Sequence, residues 1–200
     1  MKNTKRAIIQ IAQKLFSEKS YHKVSMDELA KALNLKKPTL YYYFKGKKEL
    51  FFSIWKESFE SLEEYIFTRV DKKDTPYEKL EEFIKAHLDF IEKHRELFLI
   101  LYRERFDFLN IGELKENLSL SLGQDFAKFM KRLREVIEEG QKINIFKTSG
   151  DPLDIAYYLL GIIYITAWRW LAGEIDDLSS QSNAITSVFT EGLFSRENRR

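Results

Sequence analysis

The sequence predicts an all-α protein, on three observations. Eight glycines and three prolines punctuate 200 residues, too few breakers for a chain of short strands and turns. The chain is rich in Leu, Ile, Lys and Glu, a helical balance. Its apolar residues recur at spacings of three and four. A hydrophobic fraction of 44% is enough to build a core, and the length suggests one large or two small domains.

About nine helices follow in order. Ile8, Ile9, Ala12, Leu15 and Phe16 share one face of a helix from about Lys5 to Lys19. The loop SYHK leads to VSMDEL, which opens a second helix. Ser25 is its N-cap, Glu28 completes a capping box, and Val24 with Leu29 forms the hydrophobic staple. Met26, Leu29, Ala30 and Leu33 give it an apolar face. Asn34 then stops it, because Asn tolerates the left-handed backbone. A short third helix spans about Lys36–Phe44, with Pro38 in its first turn, where a missing N–H does no harm. Gly46 separates it from a long fourth helix, Lys47 to about Val70. After DKKDTP, Thr75 and Pro76 start a fifth over 76–93. Helices over 95–108 and 112–140 come next, closed by Gly140 and the GDP at 150–152. Asp151, Pro152 and Asp154 open another, which runs to Ala172 and stops at Gly173. The last covers 177–194. The chain shows no internal repeat and no low-complexity segment.

Charge divides the chain in two. Residues 1–50 carry twelve Lys/Arg against four Asp/Glu, and the remainder 21 against 27, for a net charge of +2. A basic head on an acidic body offers one end to a polyanion. The chain has no cysteine, so disulfide and thiolate chemistry are excluded and a cytoplasmic location is expected. The basic N-terminus lacks the apolar stretch of a signal peptide. The longest apolar run, Ile155–Trp168, is too short to span a bilayer and suits a buried helix.

The stretch NLKKPTLYYYFKGKKEL sets three tyrosines side by side within a run of lysines. Neither a buried helix face nor a half-buried strand wants that pattern. A two-turn helix lying in a DNA groove does. Two short helices joined by a tight turn behind a supporting helix describe a helix-turn-helix. Leu40 and Phe44 face its core, so Tyr41, Tyr42 and Tyr43 fan out over the rest, with Tyr41 partly anchoring the helix. A phenol offers a ring to a thymine methyl and a hydroxyl to a phosphate. Lys36 and Lys37 stand at the helix start, which in such motifs points to base edges. Neither is a good cap, so a phosphate can take the first N–H groups. Lys45, Lys47 and Lys48 make a second phosphate site at the next helix start. His22, in the loop before the second helix, reads as a solvent or phosphate neighbour.

These residues carry a resemblance. Residues 5–54, with a basic first helix ending in LF, then VSMDELAKALNL, then KKPTLYYYFKGKKELF, resemble the DNA-binding domain of the TetR family of bacterial transcriptional repressors. The family pattern is roughly T-x-x-x-I-A-x-x-A-G-V-S-x-x-x-L-Y-x-Y-F-x-x-K-x-x-L. The resemblance implies that Ser25 contacts phosphate and that Lys36, Lys37, Thr39 and Tyr42 lie in the major groove. It also implies that Tyr43 and Lys47 hold backbone phosphates and that Tyr41 positions the recognition helix. Asn34 stands where the family usually has Gly, and Lys36 replaces its usual Ser cap. The domains expected are 1–50 for DNA binding and 51–200 for ligand binding and dimerisation, the latter resembling the family in layout only.

In that body the last two long helices are expected to pair across a homodimer, as a palindromic operator requires. Ala184, Ile185, Val188, Phe189 and Gly192 form the stripe. Trp55, Phe59, Phe98, Tyr102, Phe126, Phe129, Tyr164 and Trp168 are the candidates to line an apolar effector cavity, with His94, Arg103 and Arg105 as a polar end. No metal is expected: His87 and His94 are two turns apart. No cofactor is expected either. The chain lacks a glycine-rich phosphate loop, G-x-S-x-G and H-E-x-x-H, which argues against an enzyme. The function expected is a repressor released from a pseudo-palindromic operator in double-stranded DNA by a small apolar or amphipathic molecule. The alternative is a DNA-binding adaptor controlled by a protein partner.

Overall fold

The computed structural model describes residues 2–100, 118–146 and 150–190. Among the described residues there are nine α-helical segments and no strand: α1 (Lys2–Glu18), α2 (Met26–Ala32), α3 (Lys37–Tyr43), α4 (Lys47–Val70), α5 (Pro76–Lys93), α6 (described over 95–100), α7 (Leu118–Lys142), α8 (Pro152–Leu171) and α9 (Ser182–Thr190). α4 and α5 cover the residues expected of them. The helical stretches expected at 101–108, 112–117 and 191–194 lie outside the described residues, as do Tyr102, Arg103, Arg105 and Gly192.

Local chemistry starts these helices. Ser25 Oγ accepts from Glu28 N–H at 3.1 Å. Thr75 and Glu78 close a full capping box: Thr75 Oγ1 accepts from Glu78 N–H at 3.2 Å while Glu78 Oε2 accepts from Thr75 N–H at 3.1 Å. Asp151 Oδ1 accepts from Leu153 N–H at 2.7 Å, with Pro152 as the first helical residue.

Three helices stop in one way. Asn34, Asn144 and Gly173 have φ of 51°, 58° and 78°. In each case the next residue's N–H reaches back five residues: Leu35 to Ala30 O, Ile145 to Gly140 O and Glu174 to Arg169 O, each at 2.9 Å. This is the Schellman arrangement, which satisfies the last free carbonyls. Gly140 is therefore not the stop expected of it. α7 runs on to Lys142 and ends at Asn144. Gly140 is needed for space instead: a Cβ there would sit 2.2 Å from the Phe146 ring. The last helix also starts later than expected. A 3-10 turn over Ser179–Gln181 precedes α9. Glu92 of α5 fixes this turn, accepting from Leu178 N–H at 3.2 Å and from the Ser179 hydroxyl.

The described residues fall into two compact units. One runs to Ser61 and resumes from His94 to Leu122; the other takes Leu62–Lys93 and the residues from Gly123 on. The first has its core in Ile8, Ala12 and Phe16 of α1, Leu29 of α2, Leu40 of α3, and Leu50 and Ile54 of α4. In the second, α5 lies against α8 and α9, and its inward face meets rings from α4 and α7: Phe83 lies 6.0 Å from Phe67 and 5.7 Å from Phe129.

Candidate nucleic-acid interface and effector core

The helix-turn-helix is built from its loop outward. The rings of Phe16, Tyr21 and Phe51 cluster, with Phe51 5.1 Å from Phe16 and 4.9 Å from Tyr21. Lys47, in the first turn of α4, locks the same loop. Its ammonium donates to Tyr21 O at 2.8 Å and Val24 O at 2.9 Å, and lies 4.3 Å from the centre of the Tyr21 ring. Val24 and Leu29, the two residues of the expected staple, are both buried. Lys19 pairs with Glu28 and, together with the Ser25 backbone, holds that carboxyl below its ordinary value.

On α3, Leu40 and Phe44 are fully buried, while Tyr41 is 43% and Tyr42 71% exposed. Tyr43 is half-buried, and its ring meets that of Tyr42 edge-on at 5.2 Å. Lys36 is the N-cap residue and supplies no side-chain bond to the first N–H groups. The Lys37 ammonium lies 2.7 Å from Asp27, which raises its pKa and sets the first turns of α2 and α3 side by side. Thr39 and Lys48 are half-buried and Ser25 is exposed. The proposed DNA-facing residues thus all fall on the start of α2, on α3 and at the start of α4, within one unit.

The expected effector residues are divided between the two units. Trp55, Phe59 and Phe98 belong to the first unit and Phe126, Phe129, Tyr164 and Trp168 to the second. Phe126 meets Tyr157 at 6.3 Å. Phe129 and Tyr164 come together around a residue sequence reasoning had weighed only as a metal ligand. His87, on α5, is fully buried. Its ring lies edge-to-face with Phe83 at 5.6 Å, Tyr164 at 5.8 Å and Phe129 at 6.0 Å. Neither nitrogen has a hydrogen-bond partner among the described residues. Burial pushes the imidazole down from 6.5 to about 3, so the ring is neutral. Tyr164 keeps 38% of its surface exposed, yet burial of its hydroxyl end lifts the phenol to about 12. The signal was in the sequence: Leu80, Phe83, Ile84, His87 and Ile91 form one helical stripe, with a histidine where the period wants an apolar residue.

On α9, Ile185 is buried, Ala184 and Val188 are exposed and Phe189 is half-buried. α8 carries an outward apolar stripe that the sequence reading missed: Tyr158 at 66%, Ile165 at 56% and Trp168 at 40% exposure, with exposed Gly161 between them. Among the described residues, no helix is long and apolar enough to cross a membrane and no group of His, Cys, Asp or Glu is placed to hold a metal ion.

Comparison with known proteins agrees with this architecture. Residues 8–54 match the bacterial regulatory proteins of the tetR family, and residues 73–176 match a tetracyclin repressor-like C-terminal domain. The chain belongs to the TetR family of DNA-binding transcriptional regulators. It is 35% identical over 127 residues to the negative transcriptional regulator IcaR of the Staphylococcus aureus biofilm operon icaADBC, covering 62% of this chain and 68% of that protein. Among solved structures, FadR of Bacillus subtilis in complex with stearoyl-CoA superposes with a TM-score of 0.77 at 23% identity, over 94% of this chain and 98% of the other. AibR in complex with isovaleryl coenzyme A and operator DNA gives 0.79 at 20% identity, over 94% and 98%. At these identities the two structures speak for the fold.

Proposed function

We propose that this regulator is a homodimeric repressor, released from a pseudo-palindromic operator by an apolar or amphipathic acyl compound. The observation that carries the reading is α3: its core side is filled by Leu40 and Phe44, and its outward side presents Tyr41 and Tyr42 beside Lys36 and Lys37. Such a helix suits the major groove. Lys36, Lys37, Thr39 and Tyr42 read bases there, while Ser25, Tyr43, Lys47 and Lys48 hold phosphates and Tyr41 sets the helix angle. Residues 1–50 bind DNA, and residues 51–200 dimerise and take the effector. The outward stripe of α8 with Ala184 and Val188 of α9 supports pairing with a second copy. Two heads then span half-sites about 34–36 Å apart, or a multiple of that. The acyl-CoA complexes of FadR and AibR support the effector class. Release follows only if the effector binds the DNA-free state more tightly.

A salt-dependent titration against the DNA upstream of the protein's own gene, with random DNA as control, tests this. Expected is binding that outcompetes random DNA and is reversed by stearoyl-CoA or isovaleryl-CoA. Specific binding that neither compound alters would remove the acyl effector and leave the repressor.

A further inference from the structure

We propose that His87 is the polar anchor of the effector site, giving a hydrogen bond to the thioester carbonyl of a bound acyl-CoA. The inference rests on the effector class proposed above and adds the residue and the atom it recognises.

The position is anomalous on physical grounds. His87 sits in the apolar stripe of α5, fully buried, walled by the ring edges of Phe83, Phe129 and Tyr164. Leu or Phe would satisfy the same packing without stranding polar atoms. Both ring nitrogens are instead without a partner among the described residues. A buried donor and acceptor left unpaired by the protein calls for a partner from outside it, a water, an ion or a ligand, and the chemistry of the walls selects among these.

The surroundings select the chemistry of that group. The walls are apolar, which suits an acyl chain. The ring is neutral, with burial the cause of its shift, and among the described residues no charged side chain biases it. A neutral imidazole donates one hydrogen bond and accepts one. That suits an uncharged carbonyl. A free carboxylate would need a cation to offset its desolvation, and among the described residues none shifts the imidazole of His87. The site therefore reads a thioester in preference to the free acid, distinguishing the activated chain from its hydrolysis product.

The test uses the full chain and three ligands of one chain length: stearoyl-CoA, stearate, and the thioether analogue of stearoyl-CoA, which keeps the nucleotide and lacks the carbonyl. Titration calorimetry is run on wild type, His87→Leu and His87→Gln. The expected result is that wild type prefers thioester to thioether by about tenfold, the upper range for one neutral hydrogen bond. The preference vanishes in His87→Leu and is partly kept by His87→Gln, whose amide still donates. Thermal melting serves as the folding control, because replacing an unpaired buried polar group with a hydrocarbon leaves the core intact. Equal preference in wild type and a folded His87→Leu overturns the assignment of His87 while the acyl-CoA reading stands. Failure of wild type to bind stearoyl-CoA or isovaleryl-CoA overturns both. Tighter binding of stearate than of stearoyl-CoA overturns the carbonyl and keeps the chain.

Discussion

Two aromatic groups of this molecule differ in what they face: that on α3 is turned to solvent and that around His87 is turned to the core. On α3 the tyrosines point out, because Leu40 and Phe44 already occupy the core positions of a two-turn helix. On α5 the apolar stripe closes inward, and there a single imidazole takes a slot that periodicity assigns to a hydrocarbon. In the first group apolar surface is left in water; in the second a polar ring is kept from it. Both are unfavourable alone, and under the proposed function each becomes favourable when its partner arrives: DNA for one, a ligand carbonyl for the other. The outward group is cemented by neighbours in sequence and the inward one by three different helices.

The largest effect expected is at the seat of the outward group. Leu40→Ala removes a fully buried side chain and should destabilise the unit by about 2–5 kcal/mol. Denaturant unfolding measures that loss, and operator binding should disappear with it while the tyrosines remain. Operator affinity that survived would mean the tyrosines do not depend on the packing beneath α3.

The inward group has a signature in pH. Unfolded His87 takes up a proton below its ordinary 6.5, whereas the folded ring stays neutral down to about 3. The unfolded state therefore binds more protons in that window, and stability falls as pH drops through it, being complete above 6.5. Between pH 7 and 5 the loss should be about 2 kcal/mol. His87→Leu should lack that loss. Unfolding curves of the two proteins that shift in parallel over this range would show that the ring is protonated in place.

Tyr42→Ala sharpens the comparison from the outer side. The ring is 71% exposed, so melting should barely change. Specific affinity should drop by about 1–3 kcal/mol, the range for one base contact, and non-specific affinity by much less. Equal drops would make Tyr42 a phosphate contact.

What was legible in the sequence follows the same division. The α2–α3 turn could be read because its determinants are local: Ser25 caps three residues away, and Asn34 turns at its own φ. α5 could be read from Thr75, Pro76 and Glu78. The end of α7 misled because Gly140 has two possible uses, stop or clearance, and only the return of Phe146 onto it decides between them. The start of the last helix is set by Glu92, on α5, which no local pattern announces. His87 was visible as a break in periodicity, yet a metal pairing with His94 was the only role weighed. Which aromatic residues share one group was not legible, because aromatic content marks a core without saying which rings share it.

Lys47 carries the smallest predicted effect and asks most of the measurement. The family resemblance assigns its ammonium to a phosphate. In the folded chain that ammonium also bridges Tyr21 O and Val24 O over the Tyr21 ring, so one charge fixes the loop that leads into α2. Lys47→Met keeps the stem over Tyr21 and deletes the charge. Affinity for all sequences should fall together, the melting temperature should drop slightly, and the dependence of log affinity on log salt should become shallower by about one unit, the share of one phosphate. A lower melting temperature with an unchanged slope would take Lys47 off the phosphate list and leave it as the brace of the loop. The exposed face of α3 would then owe its orientation to a lysine that never touches DNA, and the outward group, like the inward one, would depend on contacts made across the fold.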